Sequence, residues 1–426
     1  MRESFVNYLW SKQMFITPQL KSVQNDGIQV VTPGVFTEQD GPDFFNAQIY
    51  LNGQLWAGNV EVHIKASDWY AHRHEQDIRY DNVILHVVWE YDVPVFRRDG
   101  TEIPTLAVSK YTCTSIQIKY SELFTPKKRL NCEKQIQLIP ELVWIQWKER
   151  LYVERLEEKI VPIQELSSTT QNYWEYIFFC ALARSFGLNA NADNFMHMAK
   201  KLSMTILLKH GHSLFQIEAL FYGLVGLLEP IHSFNDAYLI KLQKEWKYLK
   251  EKWNLVSNSS SLLQFFKLRP SNFPTIRLAQ LAAWFHKNRD HMGTLLITKD
   301  IQVIRKSFDI EVSEYWIDHY TMDHVSKPTT KKLSNSFIDL VIINTIVPFQ
   351  LAYTKYKGDD TEPIDALVEM MYQLKPEQNS IITFFESLGV SITSAFDTQA
   401  LLQLKTRYCN HNKCMQCAIG KYIINY

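Results

Sequence analysis

Apolar positions recur at near-helical spacing over residues 3–15, ESFVNYLWSKQMF, where Phe5, Tyr8, Leu9 and Met14 fall on one stripe. The pattern then switches to strands. IQVVTPG (28–34) ends in a Pro-Gly turn. NAQIYLNGQLWAGNVEVHIK (46–65) reads as two strands joined by Asn52-Gly53, the strongest short hairpin signal. SDWYAHRHEQDIRYD (67–81) predicts a polar helix capped by Ser67 or Asp68. NVILHVVWEY (82–91) is a nearly continuous apolar run, as expected of a central strand covered on both faces. EIPTLAVSKY (102–111) supplies a further strand. The order is helix, three strands, helix, strand, with one more strand after.

From about residue 120 the pattern is helical to the end. ELVWIQWKERLYVERLEEKI (141–160) carries an apolar stripe opposite Arg/Glu pairs, and SLFQIEALFYGLVGLL (213–228) reads as a core helix. Gly187, after FFCALARSF, sits where a left-handed residue would close a helix. Breakers occur at VSNSSS (256–261) and KLRPSNFPTIR (267–277). The expected class is α+β: an α/β domain over residues 1–125, then a large all-α domain over 126–426.

Composition changes this picture little. With 426 residues, more than one core is expected. The N-terminus shows no secretory h-region, and the apolar run at 176–183 is far shorter than a membrane span. A soluble cytoplasmic protein without a membrane partner is the expectation. Lys and Arg balance Asp and Glu at 45 each, and residues 1–130 carry 13 against 15. No basic excess supports non-specific nucleic-acid coating, so such contact would be local. Lys12, Lys65, Arg73, Arg79 and the KKR run at 127–129 are the candidates for a local groove. The helical domain is left as a surface for substrate or a protein partner.

The candidate chemistry begins at Pro42-Asp43, ahead of the first hairpin strand. Glu61, His63 and Lys65 follow at alternate positions of the second, so they share one face. A hairpin brings the open ends of its strands together, which lets Asp43 and Glu61 face each other across the pair. One or two convergent carboxylates suffice for Mg²⁺ or Mn²⁺. His63 suits either a general base near neutral pH or a metal ligand, and Lys65 offers a cation. His72, His74 and His86 lie nearby. His72 and His74 cannot share a helix face at i and i+2, and His86 in its apolar strand reads as a hydrogen-bonded core residue. A metal-dependent hydrolase centred on Glu61, His63 and His72, preferring Zn²⁺ or Mn²⁺, is therefore an alternative.

A separate cluster closes the chain. RYCNHNKCMQCAIG holds Cys409, Cys414 and Cys417 within nine residues, with His411 inside. In a cytoplasmic protein such spacing reads as a metal site rather than a disulfide framework. Cys132 is the preferred fourth ligand, with His411 the other choice. Zn²⁺ and an iron–sulfur cluster both accept such a set. Cys113 and Cys180 read as strand and core residues.

The Pro42-Asp43 and Glu61-Val62-His63 segments, in their order of elements, resemble the core of the PD-(D/E)XK nucleases, a restriction-endonuclease-like fold. His63 here stands where that pattern has Lys. Glu3, on the first helix, falls where many such nucleases place a further acid, and Gln76 and Tyr80 fit their Q-x-x-x-Y pattern. The resemblance implies metal-assisted hydrolysis of phosphodiester bonds in DNA or RNA, Asp43 and Glu61 holding Mg²⁺ and His63 or Lys65 in the place of the usual Lys. A binding module that kept the fold without catalysis is the other expectation. Some nucleases of that class hold an iron–sulfur cluster on one upstream cysteine and three near the C-terminus. Over nearly its whole length the chain also resembles the bacterial DUF2851 family, a domain of unknown function. The segments that carry this include ESFVNYLW, PGVFTEQDGPDFFNAQIYLNG, GNVEVHIKASDWYAHRHEQDIRYDNVILHVV, LRPSNFPTIRLAQLA and RYCNHNKCMQCAIG. The resemblance points to Asp43, Glu61, His63, Asp68, Trp69, His72, His74, Tyr80 and His86, and to the three late cysteines, as a candidate site surface.

Overall fold

The Asn52-Gly53 turn joins the two strands that carry the candidate acids. Both residues take positive φ, 49° and 82°, as a two-residue hairpin turn of matching twist requires. The computed structural model describes residues 1–37, 40–124, 129–170, 173–258, 263–358 and 364–426. Its chain divides into two units. The first comprises Met1–Trp147, Leu388–Val390 and Leu404–Tyr426; the second comprises Lys148–Ser387 and Ser391–Gln403.

The first unit opens with helix α1 (Glu3–Lys12), then β1 (Leu20–Lys21), β2 (Gly27–Thr32), β3 (Val35–Phe36), β4 (Phe44–Leu51) and β5 (Gln54–Lys65). A four-residue helix, α2 (Asp68–Ala71), precedes β6 (Val83–Glu90), β7 (Thr105–Ala107) and helix α3 (Thr114–Phe124). The sheet runs β1-β2-β4-β5-β6-β7, with β3 beside β4. Pairing is antiparallel up to β5 and parallel from β5 through β6 to β7. Period-two alternation sorts β5 and β6 into two faces. Val60, Val62, Leu85 and Val87 join Phe5, Val6, Leu9 and Trp10 of α1 in the larger core. Val88 joins Trp69 and Tyr80 in a smaller core on the other face, and so does Val83, which lies before a register shift in the β5–β6 pairing. That second face is where Glu61 and His63 point. Strands β5 and β6 pass closely at Gly58, where a Cβ would meet Ile84 Cγ2 at 2.4 Å and Asn82 O at 2.7 Å. A glycine is needed there for this approach.

The segment 67–81 is not one helix. α2 ends at Ala71, and two 3₁₀ turns follow at His74–Gln76 and Ile78–Tyr80. Arg73, between α2 and the first of these turns, takes φ 61°, a left-handed conformation that stops a helix. Asp77 then accepts a hydrogen bond from Arg79 N–H at 3.0 Å and starts the second turn.

The boundary expected near residue 125 falls instead between Trp147 and Lys148, and residues 404–426 return to the first unit. The helix Ala418–Asn425 packs on α3, and Met415 and Ile424 join the α1 core. Tyr8 OH donates to Asn425 Oδ1 at 2.9 Å.

The second unit is almost wholly helical. Helix Pro274–Asn288 is buried nearly along its length, and its Arg277 donates to Gln280 Oε1 at 3.0 Å and Asn272 Oδ1 at 2.7 Å. Ser203, Ser213, Asp236 and Asp300 cap helices through their side chains. Gly187 is right-handed at φ −66°, and the left-handed turn falls on Leu188 at φ 52°. A short antiparallel pair, His319–Thr321 with His324–Val325, interrupts the expected helical run. Asn335–Lys357 forms one continuous helical stretch long and apolar enough to cross a membrane, but 72% of its most apolar window is buried inside the fold. Part of the VSNSSS stretch lies outside the described residues.

Candidate functional site

Asp43 directly precedes β4, where Phe44 pairs with Val60 of β5, so Asp43 stands opposite Glu61. A bulge follows at once, between Phe44 and Ala47. Asn46 takes φ 57° there, and its N–H is held by Asn59 Oδ1 at 3.3 Å. Bulges of this kind re-aim a side chain beside a sheet end. Each acid accepts from the backbone of the opposite strand: Asp43 N–H donates to Glu61 Oε2 at 3.1 Å, and Val62 N–H, the residue after Glu61, donates to Asp43 Oδ2 at 3.3 Å.

Imidazoles surround Glu61. His63 Nε2 lies 3.5 Å and His74 Nε2 3.3 Å from Glu61 Oε1. His63 Nε2 is 3.1 Å from His72 Nδ1, and His63 Nδ1 is 2.8 Å from His86 Nε2. One ligand nitrogen from each of His63, His72 and His74 lies within 4.8 Å of the others. The left-handed Arg73 brings His72 and His74 to one side despite their i, i+2 spacing, which a helix would forbid. His86 arrives by register, since β6 pairs it in parallel with Glu61. Tyr80 stacks on His74 at 3.8 Å between ring centroids. Trp69, fully buried, lies edge-on to His74 and donates its indole N–H to Phe96 O at 3.2 Å.

The electrostatics of this cluster are unbalanced. Burial, then the charges of Glu61 and Glu3, push Asp43 up to about 8. Burial and the charge of Glu3 push Glu61 up to about 8 as well, against the Asp43 N–H bond. Glu3, in the first turn of α1, is itself raised by burial and feels His72, Asp68 and His74. Burial and the neighbouring imidazoles push His63 down to about 2, and burial pushes His86 down to about 3. Both rings are therefore neutral at physiological pH, as a ligand must be. His74 Nε2 and His86 Nδ1 are buried without a hydrogen-bond partner.

The structure thus brings together Glu3, Asp43, Glu61, His63, His72, His74 and His86, with Trp69 and Tyr80 as their walls. Asp68 lies at the edge, accepting from Lys65 N–H at 2.9 Å. Lys65 is exposed, its charge beside Asp92. Gln76 is exposed and donates to Glu75 Oε1 at 2.8 Å. Arg79 is exposed and bound to Asp77. Lys127 and Lys128 lie outside the described residues. His86 is buried as its apolar strand implies, yet it belongs to the cluster. The signal for this was a lone histidine inside an otherwise apolar central strand.

A mixed sheet carrying a buried carboxylate–imidazole cluster, with a helical second unit, defines the architecture. The chain belongs to the DUF2851 family of proteins of unknown function, whose profile matches residues 3–380. That match includes the whole cluster and stops before Cys409. No curated protein and no solved structure matches the chain.

Proposed function

We propose that the cluster binds a divalent metal and hydrolyses phosphodiester bonds of nucleic acid. The observation that carries this reading is Glu61 Oε1 within 3.5 Å of two imidazole nitrogens, with Asp43 held across the strand pair by Glu61 and Val62. Two acids held this close at a sheet end repel each other and leave buried imidazole nitrogen unpartnered, and a cation resolves both. Glu61, His63, His72 and His74 suit as ligands, with Asp43 facing the same ion. A bound ion supplies Lewis-acid polarisation of a phosphoryl oxygen and acidifies a coordinated water.

The protein's own groups do the rest. His63 takes the place that Lys holds in the PD-(D/E)XK pattern, and burial keeps it neutral, so it serves as a ligand oriented by His86 rather than supplying positive charge. His72 is exposed at the mouth and is the ligand nearest solvent. Glu3 adds negative charge that strengthens cation binding. Exposed Arg73 beside the two histidines is the nearest candidate for a substrate phosphate.

The three close imidazoles support a second point, the choice of ion. Imidazole suits Zn²⁺ and Mn²⁺ better than Mg²⁺, which prefers oxygen. Labelled single- and double-stranded DNA and RNA, incubated with Mg²⁺, Mn²⁺ or Zn²⁺ in turn, test the reading. Cleavage by wild type with Mn²⁺ or Zn²⁺, lost in Asp43→Asn/Glu61→Gln, is expected. Silence of wild type under all conditions overturns the catalytic reading and favours a binding module. Equal cleavage by the double variant overturns the assignment of the site.

A further inference from the structure

The second unit holds chemistry of its own, separate from the histidine cluster and from the free thiols of Cys132, Cys409, Cys414 and Cys417, all in the first unit. A cavity of about 670 Å³ opens among its helices, a size that suits a small molecule. Helices Glu141–Thr169, Trp174–Phe186 and Leu188–Lys200 supply three sides, and residues 337–345 supply a fourth. Ile163, Leu166, Ile177, Met196, Phe337 and Val341 make much of the wall apolar. Its polar side chains are Lys159, Arg184, Ser185, Asn189, Asn344 and Thr345, and among the described residues no carboxylate lines it.

The backbone departs from regular geometry where the polar wall is built. Ile342–Ile346 is a turn of π-helix, and such widened turns recur at functional sites. Asn344 and Thr345, neighbours in sequence, both line the cavity. Thr345 and Ser185 share a hydroxyl–hydroxyl bond. One of the two donates, so the other keeps its hydrogen for a further acceptor. Half-buried Lys159 donates to Asn344 Oδ1 at 2.8 Å, to Gln399 Oε1, and at 3.4 Å to Ile343 O. All three acceptors are neutral, so the ammonium has no counter-charge in contact. The acid it feels, Glu377, stands behind Gln399 and accepts from Gln399 Nε2. Burial, then the charge of Arg155, push Lys159 down to about 7. Arg184 is exposed and paired with Asp193.

We propose that this cavity binds a small amphipathic carboxylate, its head on Lys159 and its apolar body along Ile163 and Leu166. The charged side chains on the wall are both cations, which calls for an anion. Lys159, Pro162, Ile163 and Leu166 fall at i, i+3, i+4 and i+7 of one helix face, so the apolar lining runs about 10 Å past the ammonium. That length suits an organic body rather than an inorganic ion. A carboxylate oxygen would replace the long bond to Ile343 O and accept from the spare hydroxyl of Ser185 or Thr345. One inner ammonium among neutral amides and hydroxyls matches a single charge. Phosphate is more often gripped by the forked guanidinium of Arg, and Arg184 is already engaged by Asp193.

The test is calorimetric titration of the whole protein with decanoate, and with decanol as its uncharged counterpart. A chelator is present throughout, so that no metal at the histidine cluster takes up carboxylate. Wild type should bind one decanoate per chain, and decanol about tenfold or more weakly, the worth of a charged hydrogen bond. Lys159→Met, which keeps the apolar stem, should lose that advantage and bind both alike. Because Lys159→Met can also fail to fold, the comparison of decanoate with decanol on wild type stands as a separate readout. Absence of decanoate binding, several weak sites per chain, equal affinity of wild type for the two probes, or undiminished decanoate binding by folded Lys159→Met each overturns the site.

Discussion

His63 and His86 share a hydrogen bond of 2.8 Å, Nδ1 to Nε2, between neighbouring parallel strands. With His63 Nε2 turned to Glu61 and His72, a metal there requires that nitrogen unprotonated. The His63 proton then sits on Nδ1 and is donated to His86. Ligating histidines commonly donate their second N–H in this way, which fixes ring orientation. His86→Ala should weaken metal binding about 10–100-fold. His86→Gln, which keeps an acceptor, should recover part of the loss. Calorimetric titration with Mn²⁺ separates the two, and equal affinity of His86→Ala and wild type would sink the positioning role.

Stability should depend on pH through the carboxylates. Asp43 and Glu61, raised to about 8, stabilise the metal-free fold below their ordinary range near 4, and that contribution is lost as pH rises through about 8. A metal must displace their protons, so its stabilisation should grow between about pH 5 and pH 8. At a hundredfold excess over Kd the gain is about 2.7 kcal/mol, or several degrees in Tm. Thermal unfolding with and without Mn²⁺ across this range checks it. A gap that stays constant with pH would remove the carboxylates from the site.

Glu61→Gln should behave oppositely in the two states. Without metal at pH 8 it removes a buried charge and raises Tm by a few degrees, about 1 kcal/mol or more. With metal it should lose both the Tm gain and any cleavage. A variant that is destabilised in both states would mean that Glu61 is only a structural acceptor for Asp43 N–H.

In the second unit, Gly223 lies beneath Trp246, where a Cβ would meet the indole Cδ2 at 2.0 Å. Trp246 is 2% exposed and has no room to retreat. Gly223→Ala should cost about 1–3 kcal/mol by overpacking. Denaturant titration measures it, and an unchanged midpoint would show that the helix pair can slide apart.

The sequence exposed the local rules more than the distant ones. Asn52-Gly53 fixed the hairpin, but its register alone would set Asp43 opposite Val62; the bulge between Phe44 and Ala47, unmarked in the sequence, moves Asp43 opposite Glu61. Alternation then placed His63 on the face of Glu61. Lys65 shares that parity, but it stands exposed at the last paired position of β5, past the cluster, and parity carries no information on depth. The path from His72 to Tyr80 was hidden, because a non-glycine left-handed residue such as Arg73 has no strong signature. His86 was hidden by its setting: an apolar strand implies burial, not the identity of its neighbour. The thiol spacing was legible, whereas the return of residues 404–426 to the first unit depends on packing between helices far apart in sequence.

That return has a consequence for how the chain is made. Synthesis proceeds at about 5–20 residues per second, so Met1–Trp147 wait roughly ten to fifty seconds while Lys148–Gln403 are added. Throughout that interval the apolar surface of α1 and α3 that Met415 and Ile424 will cover stays bare on the ribosome. The N-terminal unit is thus completed after the unit inserted within it, and nascent chains halted before Leu404 should be the ones that chaperones hold.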